Sequence, residues 1–178
     1  MDDKMVVNGI EYTVTKLLGH GKGGYSYLAL HDGKYVVLKQ IHHEPCDYYS
    51  FGNKIESERH DYDRLKNAGI RIPKMIDIDL DAERIVKEYI EGETIFDMVR
   101  NGKSVVAYIN QVREMAAQAK AAGLNIDYFP TNFVVQDSLI YYVDYECNSY
   151  MEEWNFENWG IKFWSRTPEF EEYLRIHT

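Results

Sequence analysis

Three polar residues in the second half of the chain, Asp127, Asn132 and Asp144, have the types and the spacing of a divalent-metal site. The first two form a D-x-x-x-x-N motif, and Asp144 follows an apolar stretch that predicts a hairpin. Carboxylate and amide oxygens are the ligands that Mg²⁺ prefers, usually together with substrate phosphates. Each residue also has a structural interpretation, because Asp and Asn are common in turns and at strand ends.

A glycine-rich segment between two predicted strands could bind phosphate. Gly19, Gly21 and Gly24 form the pattern G-x-G-x-x-G, and glycines let backbone N–H groups approach phosphate oxygens because no Cβ intervenes. The dinucleotide fingerprint needs a helix after the glycines, and the P-loop needs Lys followed by Ser or Thr; this sequence has neither. The alternative is a glycine-rich turn without a binding role.

Lys39 ends the apolar run at residues 36–38, and Lys is almost never fully buried without a partner. A lysine near a glycine loop can contact the phosphates of ATP while a helical glutamate holds it in an ion pair. Glu58 is the favoured partner and Glu56 the second choice. Taken singly, Lys39 could instead extend to solvent at a strand edge.

The elements that must position these residues follow from hydrophobic periodicity and turn residues. Asp32-Gly33 predicts a tight hairpin turn, and Gly69 is placed to end a helix in the left-handed conformation. Together the elements predict a five-stranded antiparallel sheet with one helix among its strands. We predict strands at residues 10–17, 25–30, 35–41, 74–80 and 84–90, a helix at 54–67 and a loop at 42–53.

The second half of the chain predicts helices and a small hairpin. Thr94 and Ser104 are candidate N-caps of a short helix and a longer one, and Gly123 ends the longer helix. Strands at residues 133–136 and 139–145 form the hairpin. The longer helix is predicted to bury Val105, Tyr108, Ile109, Val112, Met115 and Ala119 on one face.

The remainder of the chain, to residue 178, is an acidic, aromatic segment that we expect to be partly helical. Trp154, Trp159 and Trp164 recur at five-residue steps, which do not share one helical face. We interpret these tryptophans as packing residues. The alternative is that the segment binds a partner protein.

Composition narrows the classes of partner. The 29 acidic and 20 basic residues give a formal net charge of -9, which disfavours nucleic acid because contact with its backbone needs clustered Lys and Arg. No apolar run approaches the roughly 20 residues that cross a bilayer, and the acidic start predicts no secretory leader. We expect a cytoplasmic protein with no membrane partner, in which Cys46 and Cys147 are free thiols.

The glycine loop, the strand lysine, the helical glutamate, the D-x-x-x-x-N motif and the second Asp follow the order found in protein kinases. Over residues 10–146 the chain resembles the protein kinase-like superfamily. The resemblance implies ATP and Mg²⁺ (or Mn²⁺) as cofactors. It also implies an α+β, bilobal fold, with a sheet-plus-helix lobe at residues 1–91 and a truncated helical lobe at 92–178.

The resemblance gives each matching residue a role. Lys39 contacts the α- and β-phosphates and pairs with Glu58. Asp127 orients or deprotonates the attacking hydroxyl, while Asn132 and Asp144 hold the metal. The glycine loop covers the phosphates.

The same resemblance makes residues 88–90 the hinge, so that the backbone of Glu88 and Ile90 meets the adenine. Lys87 then stands where the family usually has an apolar gatekeeper. Two segments point to different acceptors. Residues 57–73 resemble the RIO-type kinases and the minimal kinase of the tRNA threonylcarbamoyladenosine machinery. Residues 143–146, together with residues 158–160, are similar to choline and aminoglycoside kinases.

Three positions depart from the kinase pattern. Asn125 stands where kinases commonly have His, Phe129 where protein kinases have a catalytic-loop Lys, and Glu146 where the metal loop has Gly. The expected function is ATP-dependent phosphotransfer to a hydroxyl, with a protein serine or threonine favoured as acceptor. The alternatives are a small-molecule kinase of the aminoalcohol or aminoglycoside type and a non-catalytic nucleotide-binding pseudokinase or scaffold.

Overall fold

The protein has an α+β fold, with antiparallel sheets and four α-helices among the residues that the structure describes. The structure is a computed structural model, and it describes residues 3–21, 23–44 and 53–177. The chain divides into two compact units, the first formed by residues 1–60 and 73–89 and the second by residues 61–72 and 90–178. The sequence had placed all of residues 1–91 in one lobe, but residues 61–72 pack with the second unit.

The first unit is built on a six-stranded antiparallel sheet in the order β1-β2-β3-β4-β6-β5. Four of the five predicted strands both begin and end within two residues of their predicted bounds, whereas β2 begins as predicted and runs on into the glycine-rich segment. The strands are β1 (Asp3–Val7), β2 (Ile10–His20), β3 (Gly24–His31), β4 (Lys34–Ile41), β5 (Met75–Asp79) and β6 (Arg84–Glu88).

Strand β1 was not predicted, so the expectation of five strands was wrong. It pairs with β2 through a hairpin whose turn is Asn8-Gly9, with φ values of 48° and 81°. Positive φ at both central residues is typical of a type I′ turn, for which Asn-Gly is the strongest sequence signal. The predicted turn at Asp32-Gly33 is confirmed, with φ values of 49° and 74°.

The single helix of the sheet region, α1 (Lys54–Asn67), has the predicted bounds. The Asn53 side chain accepts a hydrogen bond from the Glu56 N–H at 3.2 Å, which caps the first turn. Gly69 has φ +84°, as predicted for the residue that ends the helix. Most of the predicted loop at 42–53, with Cys46, lies outside the described residues.

The second unit contains short helices and two small sheets, ordered β10-β9-β7 and β11-β8. The predicted hairpin is present, and its turn at Asp137-Ser138 has positive φ at both residues. The strands are β7 (Glu93–Thr94), β8 (Leu124–Ile126), β9 (Phe133–Gln136), β10 (Leu139–Tyr142) and β11 (Cys147–Ser149). The helices are α2 (Ile95–Arg100), α3 (Val106–Ala121) and α4 (Pro168–His177).

One of the two predicted N-caps is confirmed. The Thr94 hydroxyl accepts from the Asp97 N–H at 3.0 Å and caps α2. The prediction for Ser104 was wrong, because α3 begins one residue later than that cap requires, with Val105 in the cap position and no side-chain bond. Val105 is 5% exposed, so its burial rather than a cap fixes the start of α3.

The core of the second unit contains the predicted apolar face of α3 and the aromatic C-terminal segment. Trp164 is fully buried, and its indole N–H donates to the Tyr128 carbonyl at 2.8 Å. Trp159 packs against the same core, whereas Trp154 is 48% exposed. The interpretation as packing residues therefore holds for two of the three tryptophans.

Among the described residues, no helix combines the length and the apolar character needed to span a membrane.

Candidate functional site

Lys39 and Glu58 form an ion pair in the first unit, and strand and helix periodicity explain it. Lys39 lies two residues before Ile41 on β4, so both side chains are on one face of the sheet. Ile55 packs on Ile41 from α1, and Glu58 lies three residues after Ile55 on the same face of that helix. Glu56 is exposed, so the first-choice partner makes the contact.

The pair is largely removed from water. The Lys39 side chain is 17% exposed and that of Glu58 is 13% exposed. Glu58 Oε1 accepts a hydrogen bond from the Lys39 ammonium. Glu58 Oε2 is buried and has no hydrogen-bond partner among the described residues. Buried carboxylate oxygens normally have a partner. An unmatched acceptor beside a buried ammonium fits a site that is completed by water or a ligand.

The glycine segment joins β2 to β3, and its glycines differ in what they contact. A Cβ on Gly24 would lie 2.4 Å from the Gln40 carbonyl oxygen, so close backbone packing explains glycine there. A Cβ on Gly23 would lie 3.7 Å from Lys39 Nζ, which places the segment beside that ammonium. Gly19 and Gly21 have open space where a Cβ would be, so protein packing does not require glycine at either position.

The two predicted hinge residues lie at the end of the sheet and just beyond it. Glu88 is the last residue of β6; its N–H donates to the Lys74 carbonyl at 2.8 Å, and its side chain accepts from the Lys74 N–H at 3.1 Å. Ile90 is buried and belongs to the second unit. Lys87, which the resemblance places at the gatekeeper position, is only 8% exposed.

Asp127 and Asn132 are neighbours in a loop of the second unit. The Asn132 side-chain amide donates to the Asp127 carbonyl at 3.3 Å, and Asp127 Oδ1 accepts from the Phe129 N–H at 3.1 Å. The loop passes through a 3₁₀ turn at Pro130–Asn132. Because Asn132 donates with its nitrogen, its Oδ1 is the atom left for a cation. No described residue donates to that oxygen.

Asp144 follows β10 and is brought near the same loop by the backbone. The N–H of Val143, the residue before it, donates to the Asn132 carbonyl at 2.9 Å. Asp144 is partly exposed. The backbone at Asp144 is therefore close to the loop that carries Asp127 and Asn132.

Tyr142 supports this group and was not singled out from the sequence. Its hydroxyl accepts from the Asp127 N–H at 3.2 Å and donates to the Glu146 carbonyl at 2.7 Å, so one buried phenol joins the two loops. Burial, and then the negative charge of Asp144, raises the pKa of Tyr142 well above its ordinary value, which keeps the donating proton in place. Alternating burial along β10 is a signal from which a buried Tyr142 could have been predicted. Its hydrogen bonds to the two loops could not have been predicted in this way.

The residues that depart from the kinase pattern have structural roles here. Phe129 stacks on Phe163 with ring centroids 5.2 Å apart and packs against Tyr173 at 4.8 Å, so it belongs to an aromatic cluster of the second unit. Asn125 is 8% exposed, and its amide donates to the Trp154 carbonyl at 3.0 Å. Both residues attach the C-terminal segment to the loop that carries Asp127.

The predicted site residues thus fall in both units. Gly24, Lys39 and Glu58 are neighbours in the first unit, and Asp127, Asn132 and Asp144 belong to the second. No protein-family model matches this sequence, and no curated protein matches it significantly.

Proposed function

We propose that the chain is a protein kinase-like phosphotransferase that moves the γ-phosphate of ATP to a hydroxyl. The observation that carries the proposal is the largely buried Lys39–Glu58 pair on β4 and α1, next to a glycine segment and followed in sequence by the Asp127–Asn132 loop and Asp144. A lysine with so little exposure that is held in place by a helical glutamate suits a phosphate site better than a solvated surface.

The donor set fits Mg²⁺ or Mn²⁺. Asn132 Oδ1 and the Asp144 carboxylate would hold the ion, which supplies neutralisation of the phosphate charge. Lys39 would bind the α- and β-phosphates, and Gly19 and Gly21 would let backbone N–H groups approach them. The backbone of Glu88 and Ile90 would bind the adenine.

Asp127 would orient the acceptor hydroxyl and take its proton. As the hydroxyl oxygen bonds to the γ-phosphorus, the bond from that phosphorus to the β–γ bridging oxygen breaks, and ADP carries away that electron pair. The Phe129 N–H bond to Oδ1 and the Tyr142 hydroxyl bond to the Asp127 N–H hold this residue in position for the transfer.

The favoured acceptor is a protein serine or threonine, because part of the chain resembles the RIO-type kinases. A cationic small molecule of the aminoalcohol or aminoglycoside type is the alternative acceptor. The net charge of -9 favours a positively charged acceptor in either case. We expect the enzyme to act in the cytoplasm, and the exposed Trp154 offers a contact point for a partner protein.

A second candidate function is a non-catalytic nucleotide-binding module. It is favoured by Phe129, which packs in an aromatic cluster where a kinase would use a lysine to neutralise the transferred phosphoryl. Such a module would bind ATP without turning it over.

Nucleotide binding is tested by a thermal-shift titration with ATP and Mg²⁺. A ligand that binds the folded state raises the melting temperature by mass action. We expect stabilisation of the wild type and of Asp127→Asn, and none of Lys39→Met. Lys34→Met is the matched control, since Lys34 is an exposed lysine on the same strand. If Lys39→Met is stabilised as strongly as the wild type, the proposed phosphate site is wrong.

A further inference from the structure

Two histidines and a glutamate meet at the edge of the glycine segment in the first unit. One ligand atom from each of His20, His42 and Glu44 lies within 4.8 Å of the others. His20 ends β2, whereas the other two follow β4, so the sheet brings the three together from distant positions in the sequence. We propose that these residues bind a divalent transition-metal ion, with Zn²⁺ as the best match.

The donor types decide which metal fits. Two imidazole nitrogens and one carboxylate oxygen form a borderline donor set that suits Zn²⁺, whereas Mg²⁺ prefers oxygen ligands only. Three protein ligands leave one position of a tetrahedral ion for water or a bound molecule. The site is therefore chemically distinct from the proposed Asn132–Asp144 site, and it does not depend on phosphotransfer.

The hydrogen bond of His42 fixes which of its nitrogens can bind metal. His42 Nε2 lies 2.7 Å from the Gly21 carbonyl oxygen, and because a carbonyl can only accept, Nε2 carries the proton. The lone pair is then on Nδ1, where it accepts a 3.2 Å hydrogen bond from the Glu44 N–H. A bound ion would take the place of that N–H on Nδ1. A backbone carbonyl bound to the second nitrogen is the usual outer contact of a metal-binding histidine.

Tyr25 contacts all three residues and acts as a positioning residue. Its ring stacks on His20, with centroids 4.2 Å apart and planes 12° apart, and meets His42 edge-on at 5.3 Å. Its hydroxyl donates to Glu44 Oε2. This leaves Glu44 Oε1, which is 3.5 Å from His20 Nε2.

The three ligand residues are accessible to an ion. His20 and Glu44 are exposed and His42 is partly so, which gives an ion access from solvent.

The chain supplies a matched control next to this group. His43 lies 2.7 Å from Glu83, which makes a histidine–carboxylate pair of similar exposure that no third potential ligand joins among the described residues. A pair alone offers too few ligands for a specific zinc site, and His43→Ala should leave binding unchanged.

The test is zinc binding by the full chain, measured by competition with a chromogenic chelator in the presence of reductant and millimolar Mg²⁺. We expect one Zn²⁺ per chain. His20→Ala and His42→Ala should each weaken binding by about 100-fold or more, and Tyr25→Phe by about 10-fold, because outer contacts contribute 10–100-fold to affinity. Cys46→Ser should bind as the wild type does, and circular dichroism without metal should show each variant to be folded.

Co²⁺ gives an independent measurement, since a four-coordinate Co²⁺ site absorbs visible light strongly and hydrated Co²⁺ does not. The bands should appear with the wild type and His43→Ala and be absent with His20→Ala. The proposal is overturned if folded wild type binds no Zn²⁺, if both histidine variants keep wild-type affinity, or if only Cys46→Ser loses binding.

Discussion

The two groups of candidate residues are built in different ways. Lys39 and Glu58 are held by packing, since both side chains are mostly buried beside Ile41 and Ile55. Asp127 is exposed; its Oδ1 accepts a hydrogen bond from the Phe129 N–H, and its own N–H donates to the hydroxyl of the buried Tyr142. Loss of the first pair should therefore cost both stability and nucleotide binding, whereas changes at Asp127 should affect turnover almost alone.

The largest expected effect on turnover is that of Asp127→Asn, which tests whether turnover and stability separate at this residue. Asn keeps an Oδ1 for the Phe129 N–H but is a very poor proton acceptor, so turnover should fall by about 10²–10⁴-fold. The free energy of unfolding should change by no more than about 0.5 kcal/mol, since the residue is exposed. Initial rates of ADP formation and urea unfolding measure the two quantities.

Asp137→Asn is the matched control. Asp137 is an exposed turn residue with φ 52°, a conformation that Asn also tolerates. It should behave as the wild type in both assays. A large loss of stability in Asp127→Asn would contradict the view that hydrogen bonds to an exposed loop, rather than packing, hold this group.

The ion pair is broken by Lys39→Met or Glu58→Leu. Each change removes one charge of a largely buried pair and leaves the other, which should destabilise the fold by about 2–4 kcal/mol. The double variant removes both charges and should recover most of that loss, while nucleotide binding stays lost. Urea unfolding and the ATP titration measure the two effects.

Glu56→Leu is the control for the glutamate, because Glu56 is exposed on the same helix. It should change the free energy of unfolding by about 0.5 kcal/mol or less. If the double variant is as unstable as the sum of the two single variants, the contact between Lys39 and Glu58 does not carry the effect.

Tyr142→Phe should lower turnover less than Asp127→Asn does, and lower stability less than Lys39→Met or Glu58→Leu does. It leaves the Asp127 N–H and the Glu146 carbonyl without the hydroxyl, which should cost about 1–2 kcal/mol of stability. Turnover should fall through the looser Asp127 loop while ATP binding stays intact. Tyr141→Phe is the control on the neighbouring residue, and equal effects of the two changes would exclude the bridging role.

The smallest effect concerns Cys147, a buried thiol of the second unit. Burial, and then the negative charge of Asp61, raises the pKa of Cys147 to about 12. The neutral thiol is thus favoured in the fold, so this contribution to stability is present at neutral pH and is lost as the pH rises toward 12. In the Cys46→Ser variant, a thiol reagent at pH 8 should react with Cys147 only after the protein unfolds. Fast reaction of Cys147 in the native protein would contradict its burial.

Much of the fold was predictable because local chemistry decided it. The α1 helix, the Asp32-Gly33 turn and the cap at Thr94 follow from periodicity and from residues with few conformational options. Strand β1 was missed although Asn8-Gly9 signals its turn. Ser104 was overvalued because burial of Val105, a tertiary effect, sets the start of α3.

The site was predictable in its residues and less so in its contacts. Motif order indicated Lys39, Glu58 and Asp127. It favoured Glu58 over Glu56 as the partner of Lys39, but only the packing of Ile55 shows that Glu58 lies on the face of α1 that meets the sheet. Nothing in the sequence indicated that Phe129 packs into an aromatic cluster. The His20–His42 contact likewise depends on the register of the sheet rather than on spacing.

The most direct test of phosphotransfer is ADP formation from ATP and Mg²⁺ by wild type, Asp127→Asn and Asp144→Asn, with basic serine/threonine peptides or aminoalcohols as acceptors. We predict ADP formation by the wild type that requires Mg²⁺ and an acceptor and falls to background in both variants. Equal rates in wild type and Asp127→Asn would contradict the assignment. Wild type that binds ATP with Mg²⁺ but forms no ADP would instead identify a non-catalytic nucleotide-binding module.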